Sequence, residues 1–208
     1  ELSGSGDMLQ LDGKLMVDNL PVELVELFYS LPAEVVGDLD AIAQFNGSLA
    51  NPLVEGEALI ANPELNGYAI EQASAEFSYR DAVLALDSEI AVNPNSSSIT
   101  VEGKVPYVLP FMTVAPRSDQ LAVTAIAPND TLAFVNALSD GQVLWQSGQG
   151  EVVVEVGGTL SQPAVNGRAS FDAATISSPK LRNDLSNING EVLFSLDEVN
   201  VEQLQANM

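Results

Sequence analysis

Apolar and polar residues alternate along most of this chain. Over 39–49 the odd positions are Leu39, Ala41, Ala43, Phe45, Gly47 and Leu49, while the even ones from Asp40 to Ser48 are polar except Ile42. Successive side chains of a β-strand point to opposite faces, so this stretch predicts a strand with one apolar side. Residues 54–60 repeat the scheme, with Val54, Gly56, Ala58 and Ile60 against Glu55 and Glu57. Strands are expected again over 70–79 (Phe77, Tyr79), 83–92 (Leu84, Leu86, Ile90, Val92) and 99–105 (Ile99, Val101, Val105). Asn51-Pro52, Asn66-Gly67, Arg80-Asp81 and Asn93-Pro94-Asn95 separate them as hairpin and loop signals.

The second half returns to the first. FNGSLANPLVEG (45–56) and VGGTLSQPAVNG (156–167) share the frame G-x-L-x-x-P-x-V-x-G at a spacing of 111 residues. Val152, Val154 and Val156 take the places of Ala41, Ala43 and Phe45, and Val165, Gly167, Ala169 and Phe171 those of Val54, Gly56, Ala58 and Ile60. Ile188, Val192, Phe194 and Leu196 supply a further one-sided strand. An apolar face kept in phase over that distance marks a structural repeat. Pro52 has no N–H for a ladder and marks the turn, while Gly47 and Gly56, on the apolar side, permit a bend or a close approach.

Two helices are expected ahead of the repeated phrases. NLPVELVELFYSLP (19–32) sets Leu20, Leu24, Leu27, Phe28 and Leu31 at helical spacing, with Asp18 or Asn19 to cap it and Pro32 to end it. PNDTLAFVNAL (128–138) is a weaker match through Leu132, Val135 and Leu138. No βαβ rhythm appears, so the fold expected is mainly β and antiparallel. The beginning, ELSGSGD, and the end, VEQLQANM, read as cut points within a longer repeat protein, with one unit over about 7–116 and a second, truncated one over about 117–208.

Composition narrows the function. The chain is 46% hydrophobic yet carries a formal charge of −22, from 29 acidic and 7 basic residues. Both values are high together, which calls for segregated apolar and acidic surfaces. The acidic surface repels phosphate backbones and anionic headgroups, so no nucleic-acid partner is expected. There is no cysteine and no histidine, which removes thiolate and imidazole metal sites and the Ser–His and Cys–His catalytic arrangements. No apolar run of about 18 residues is present to cross a bilayer as a helix.

Catalytic motifs are also missing. Gly148 and Gly150 form a G-x-G, but Val153 stands where a third glycine is needed. Glu55 and Glu57, about 7 Å apart along a strand, could suggest a carboxylate pair. Their counterparts in the second copy are Asn166 and Arg168. No enzyme activity, metal or cofactor is expected. Asp38 with Asp40, or Asp87 with Glu89, could be cited for calcium, but alternate acids on a strand read more simply as a solvated face. Trp145 reads as a packing residue.

The order of an apolar helix, a glycine-led strand, G-x-L-x-x-P-x-V-x-G, paired strands and a G-x-x-P segment (GKVPYVLPF, 103–111) resembles the TamB family of translocation and assembly module proteins, in the AsmA-like superfamily. Ile126 to Gly167 looks like a further copy of the same unit, and a cyanobacterial or plastid-type relative would fit the acidity. The resemblance implies a long curved antiparallel sheet, a β-taco with a hydrophobic groove and short helices between repeats. It implies a periplasmic location, or the intermembrane space of the plastid envelope, with an inner-membrane anchor outside this segment. The partners implied are phospholipid acyl chains and an outer-membrane barrel protein of the Omp85 type. The roles implied are lipid transport between membranes and assembly of outer-membrane proteins.

On this reading the groove is lined by Leu39, Ala41, Ala43, Phe45, Leu49, Val54, Ala58, Ile60, Phe77, Leu84, Leu86, Ile90, Ile99 and Val101 of the first copy. Val152, Val154, Val156, Val165, Ala169, Phe171, Val192 and Phe194 continue it in the second. Alternation alone does not separate an open groove from a filled core. The alternative is an all-β adhesin-like or stalk-like repeat with a closed core.

Overall fold

The computed structural model describes residues 10–23, 34–94, 96–109, 114–139 and 141–207. Its strands are β1 (Gln10–Pro21), β2 (Val35–Ser48), β3 (Asn51–Leu65), β4 (Tyr68–Ala69), β5 (Gln72–Arg80), β6 (Val83–Ala91), β7 (Ser98–Pro106), β8 (Ala122–Ala127), β9 (Leu144–Gly158), β10 (Pro163–Ser177), β11 (Leu185–Ser195) and β12 (Val199–Asn207). All belong to one twelve-stranded antiparallel sheet that follows chain order, with β4 a side branch on β3. β1 and β12 lie at opposite ends of the path, so the sheet is open. The fold is mainly β, as the alternation and the resemblance both imply. Among the described residues no second sheet covers the first. The accessible surface is 13209 Å², against about 9300 Å² for a compact monomer of this mass.

The repeated phrase is a hairpin whose glycine and proline face each other. Gly47 pairs with Pro52, and Gly158 with Pro163. Both glycines have positive φ, +90° and +74°, where a side chain is strained. The β2–β3 turn is Leu49–Ala50, ahead of Pro52, which is already the second residue of β3. Leu49, expected on the strand face, therefore sits half-buried in the turn. The two-residue link from Ser48 to Asn51 leaves it no ladder position.

The second glycine of the phrase has a different task. Gly56 pairs with Phe77 on β5, and Gly167 with Phe194 on β11. A Cβ at Gly56 would lie 2.5 Å from the Phe77 ring, and one at Gly167 would run into the ring of Phe194. Each glycine is thus the seat of an aromatic ring from the next strand, an arrangement that gives a single-layer sheet some core.

Bends also recur. Gly37 and Asn62 have positive φ where β2 and β3 slip register, and Gly148 and Ala173 do the same in β9 and β10. Each pair of equivalents is 111 residues apart. Bulges shorten one strand against its neighbour and bend it. Those of adjacent strands lie near the same edge of the sheet.

The expected helix over 19–32 is not found where it can be seen. Asn19–Pro21 continue β1, with Leu20 opposite Leu39 and Pro21 opposite Asp38. The Asn19 N–H donates to Asp40 Oδ1 at 2.8 Å, and its φ of +52° makes a bulge of the intended cap. Ladder pairing outweighs the local helical pattern here, and an edge strand tolerates Pro21. Val22–Glu23 form a 3-10 turn, and 24–33 lie outside the described residues. The later segment is mostly a 3-10 turn, Asn129–Phe134, followed by one α-helical turn, α1 (Val135–Leu138).

The ring seats are testable. Gly167→Ala should lower unfolding stability by about 1–3 kcal/mol in urea titrations. Gly157→Ala, where an added Cβ meets nothing within 4 Å, should change it by less than about 0.5 kcal/mol. Equal effects at the two sites would remove the ring as the reason for the glycine.

Candidate functional site

Directly paired residues of antiparallel strands share a face. Across the sheet Ala43 faces Gly56, then Phe77, Leu86, Gly103, Val123, Val156 and Val165 in turn. A parallel row runs Leu39, Ile60, Ala73, Ile90 and Ile99, and another Phe45, Val54, Tyr79, Leu84 and Val105. Ala41, Ala58, Ala75, Ser88, Val101, Ala125 and Val154 form the row between the first two. Val152, Ala169 and Val192 pair likewise, as do Gly167 and Phe194, while Phe171 faces Gly150. Every residue expected to line the groove, Leu49 apart, lies on this one face. The structure adds Val17 of β1, Val123 and Ala125 of β8 and Val201 of β12. Their alternation was present in AVTAIA (122–127) and VNVEQL (199–204), but those stretches are short.

Two segments fold onto the two ends of this face. Leu109 and Val114 pack with Val54 and Leu84 against Tyr79 and Ala82 at one end, where the Tyr79 hydroxyl donates to Tyr107 O at 2.7 Å. Burial pushes the Tyr79 phenol above its ordinary range. At the other end Leu132 and Ala137, 4% and 2% exposed, lie against the sheet, with Leu132 above Gly150. Trp145 stacks on Phe171 with ring centres 6.2 Å apart, a packing role. Between these covers the apolar side chains are mostly half-buried against one another.

The opposite face is acidic. Glu57, Glu76, Asp87 and Glu102 are direct cross-strand partners in sequence, and beyond Thr124 the same row reaches Glu155 and Asn166. Ile42, Leu59, Ile126, Val153 and Leu193 interrupt the polar pattern of this face. Glu55 is 3.9 Å from Arg80, and Glu151 is 3.7 Å from Arg168. These exposed ion pairs contribute little. Like charges directly opposite are destabilising.

A cleft of about 1200 Å³ crosses this side, lined by Gln44, Glu57, Glu76, Asp87, Glu102, Lys104, Thr124 and Glu155 among others. A second, of about 820 Å³, extends it toward β1 past Met16, Asp40, Glu57 and Glu89. Carboxylates along both walls suit water and cations. Acyl chains placed there would strip solvent from charge, which is strongly unfavourable. Among the described residues no cluster of three or more acidic side chains converges to hold a metal ion.

No family model matches the chain, and no solved structure does. Two curated proteins match parts of it. One is "Protein SUBSTANDARD STARCH GRAIN 4, chloroplastic" of Oryza sativa subsp. japonica, 48% identical over 73 residues, 35% of this chain. The other is "Protein TIC236, chloroplastic" of Arabidopsis thaliana, 36% identical over 62 residues, 30% of this chain. The similarity is to chloroplast proteins. The matched segment spans about 3% of the length of each.

Two electrostatic outcomes follow. Glu76→Gln should raise stability by about 0.2–1 kcal/mol at low salt, and the gain should shrink as salt screens the row. A loss of stability would show that the row is not repulsive. Asp130 accepts the Ser97 N–H at 2.7 Å, which holds its carboxyl below the ordinary carboxylate range. Its folded form thus favours the charged state, a stabilisation present above the ordinary carboxylate range and lost as pH falls through the lowered value. Asp130→Asn should flatten that part of an acid-unfolding curve. A curve of unchanged shape would count against it.

Proposed function

We propose that this chain is one stretch of a longer bridge whose apolar sheet face carries phospholipid acyl chains between two membranes, supports outer-membrane protein assembly, or does both. The observation that carries this reading is the single sheet with one apolar side, continuous from β1 to β12 and without a second sheet over it among the described residues. A closed-core stalk module would need such a cover.

The physical case is one of transfer. A buried methylene is worth about 0.8 kcal/mol, so a two-tailed lipid with ~30 methylenes faces a barrier of ~24 kcal/mol in water. A continuous aliphatic strip lowers that barrier, and an unspecific one leaves no step that holds the tails tightly. Headgroups stay in solvent, away from the acidic side. No catalytic role is proposed, and no nucleic-acid partner. Both relatives are named as chloroplastic, which favours a plastid over a bacterial periplasm; for a bridge between membranes the place there is the intermembrane space of the envelope. The full-length chain would supply the membrane anchor and the contact with an Omp85-type barrel.

A photo-crosslinking amino acid at Phe45, on the apolar face, should capture phospholipid from the isolated protein. The same group at Asn46, on the polar face, should not. Equal labelling at the two positions would sink the lipid reading.

A further inference from the structure

The short segment Asn129–Leu138 touches parts of the sheet that are far apart along it. The Asn136 side chain accepts the Trp145 N–H of β9 at 2.7 Å, and the carbonyl of the next residue, Ala137, accepts from Asn66 Nδ2 at 2.9 Å. Asn66 belongs to the β3–β4 turn. Two further bonds fasten the segment. Asn129 Oδ1 accepts the Gly150 N–H of β9 at 2.9 Å, and Asp130 Oδ2 accepts Ser97 N, just ahead of β7, at 2.7 Å. Thr131, Leu132 and Ala137 are buried beneath these contacts.

Both anchors lie in strand ends that run past the bulges at Asn62 and Gly148, beyond the ladder that links β3 to β9 through β5–β8. β3 and β9 are five strand positions apart, or about 24 Å at the usual strand spacing. The path from Trp145 through two consecutive residues to Asn66 is at most about 20 Å when fully stretched. The two ends therefore lean toward each other on the side bearing the segment. That side is the apolar one, since Leu132 stands over Gly150, the partner of Phe171.

We propose that Asn129–Leu138 is a clasp that narrows one end of the apolar face by holding the bent end of β9 to the β3–β4 turn. The clasp concerns shape, so it can be tested without lipid, and its failure would leave the transport reading standing.

The chain has no cysteine, so Glu64→Cys in β3 and Gln149→Cys in β9, both exposed positions, give a clean spin-label pair. Asn66→Asp keeps the acceptor for the Glu34 N–H and the positive φ of the turn, but it replaces the donor to Ala137 O with a second oxygen. The interspin distance should lengthen and its distribution broaden, with far-UV circular dichroism unchanged. Asn136→Asp adds the same charge while keeping the acceptor for Trp145, and should leave the parent distribution in place. If Asn66→Asp loses its fold, Asn66→Gly, which accepts the positive φ of the turn, removes the same donor with the same labels. A parent-like distance in either folded anchor variant overturns the clasp, as does equal widening in Asn136→Asp.

Discussion

The structure depends on antiparallel pairing that stays in step across the middle of the sheet. With a side-chain period of two, a slip of one residue in any strand would turn its apolar set outward. From β2 to β10 no slip occurs through the central rows, so Ala43 and Val165 lie on the same face seven strand positions apart. At two places neighbouring strands shift together, at Gly37 beside Asn62 and at Gly148 beside Ala173. Both lie outside the central rows, so the apolar face there is left whole.

A single layer must find packing that two layers supply as a matter of course. Two phenylalanines on the apolar side lie over glycines, Phe77 on Gly56 and Phe194 on Gly167, so rings fill space that a facing sheet would otherwise fill. Leu109 and Val114 cover one end of the face, and Leu132 with Ala137 the other. What remains between is half-buried, apolar and poor in polar atoms.

The acidic face bears on the same problem from the other side. A row of Glu57, Glu76, Asp87 and Glu102 opposes folding slightly. It also gives the molecule a field that keeps copies apart. A protein with so much one-sided apolar area has particular need of that, since two such sheets could stack. The clefts on the acidic side carry carboxylates along their walls, which opposes the entry of acyl tails.

Much of this was legible in the residues. Alternation determined the strands and assigned nearly every side chain to a face, because in a strand position parity is direction. The 111-residue phrase marked both hairpins, since only Gly47 and Gly158 relieve the positive φ and only proline is indifferent to a missing donor. The helical spacing of 19–32 misled at Asn19–Pro21, where pairing with β2 offered ladder bonds that an isolated turn could not match. Leu49 was misplaced because a two-residue turn consumes the position that alternation allots to the strand. What the sequence by itself settled was which residues share a side. Whether that side is covered, how strongly it curves and which distant turns meet depended on contacts such as Asn66 with Ala137, 71 residues apart. Those contacts are not periodic, and a pattern that encodes only direction carries no record of them.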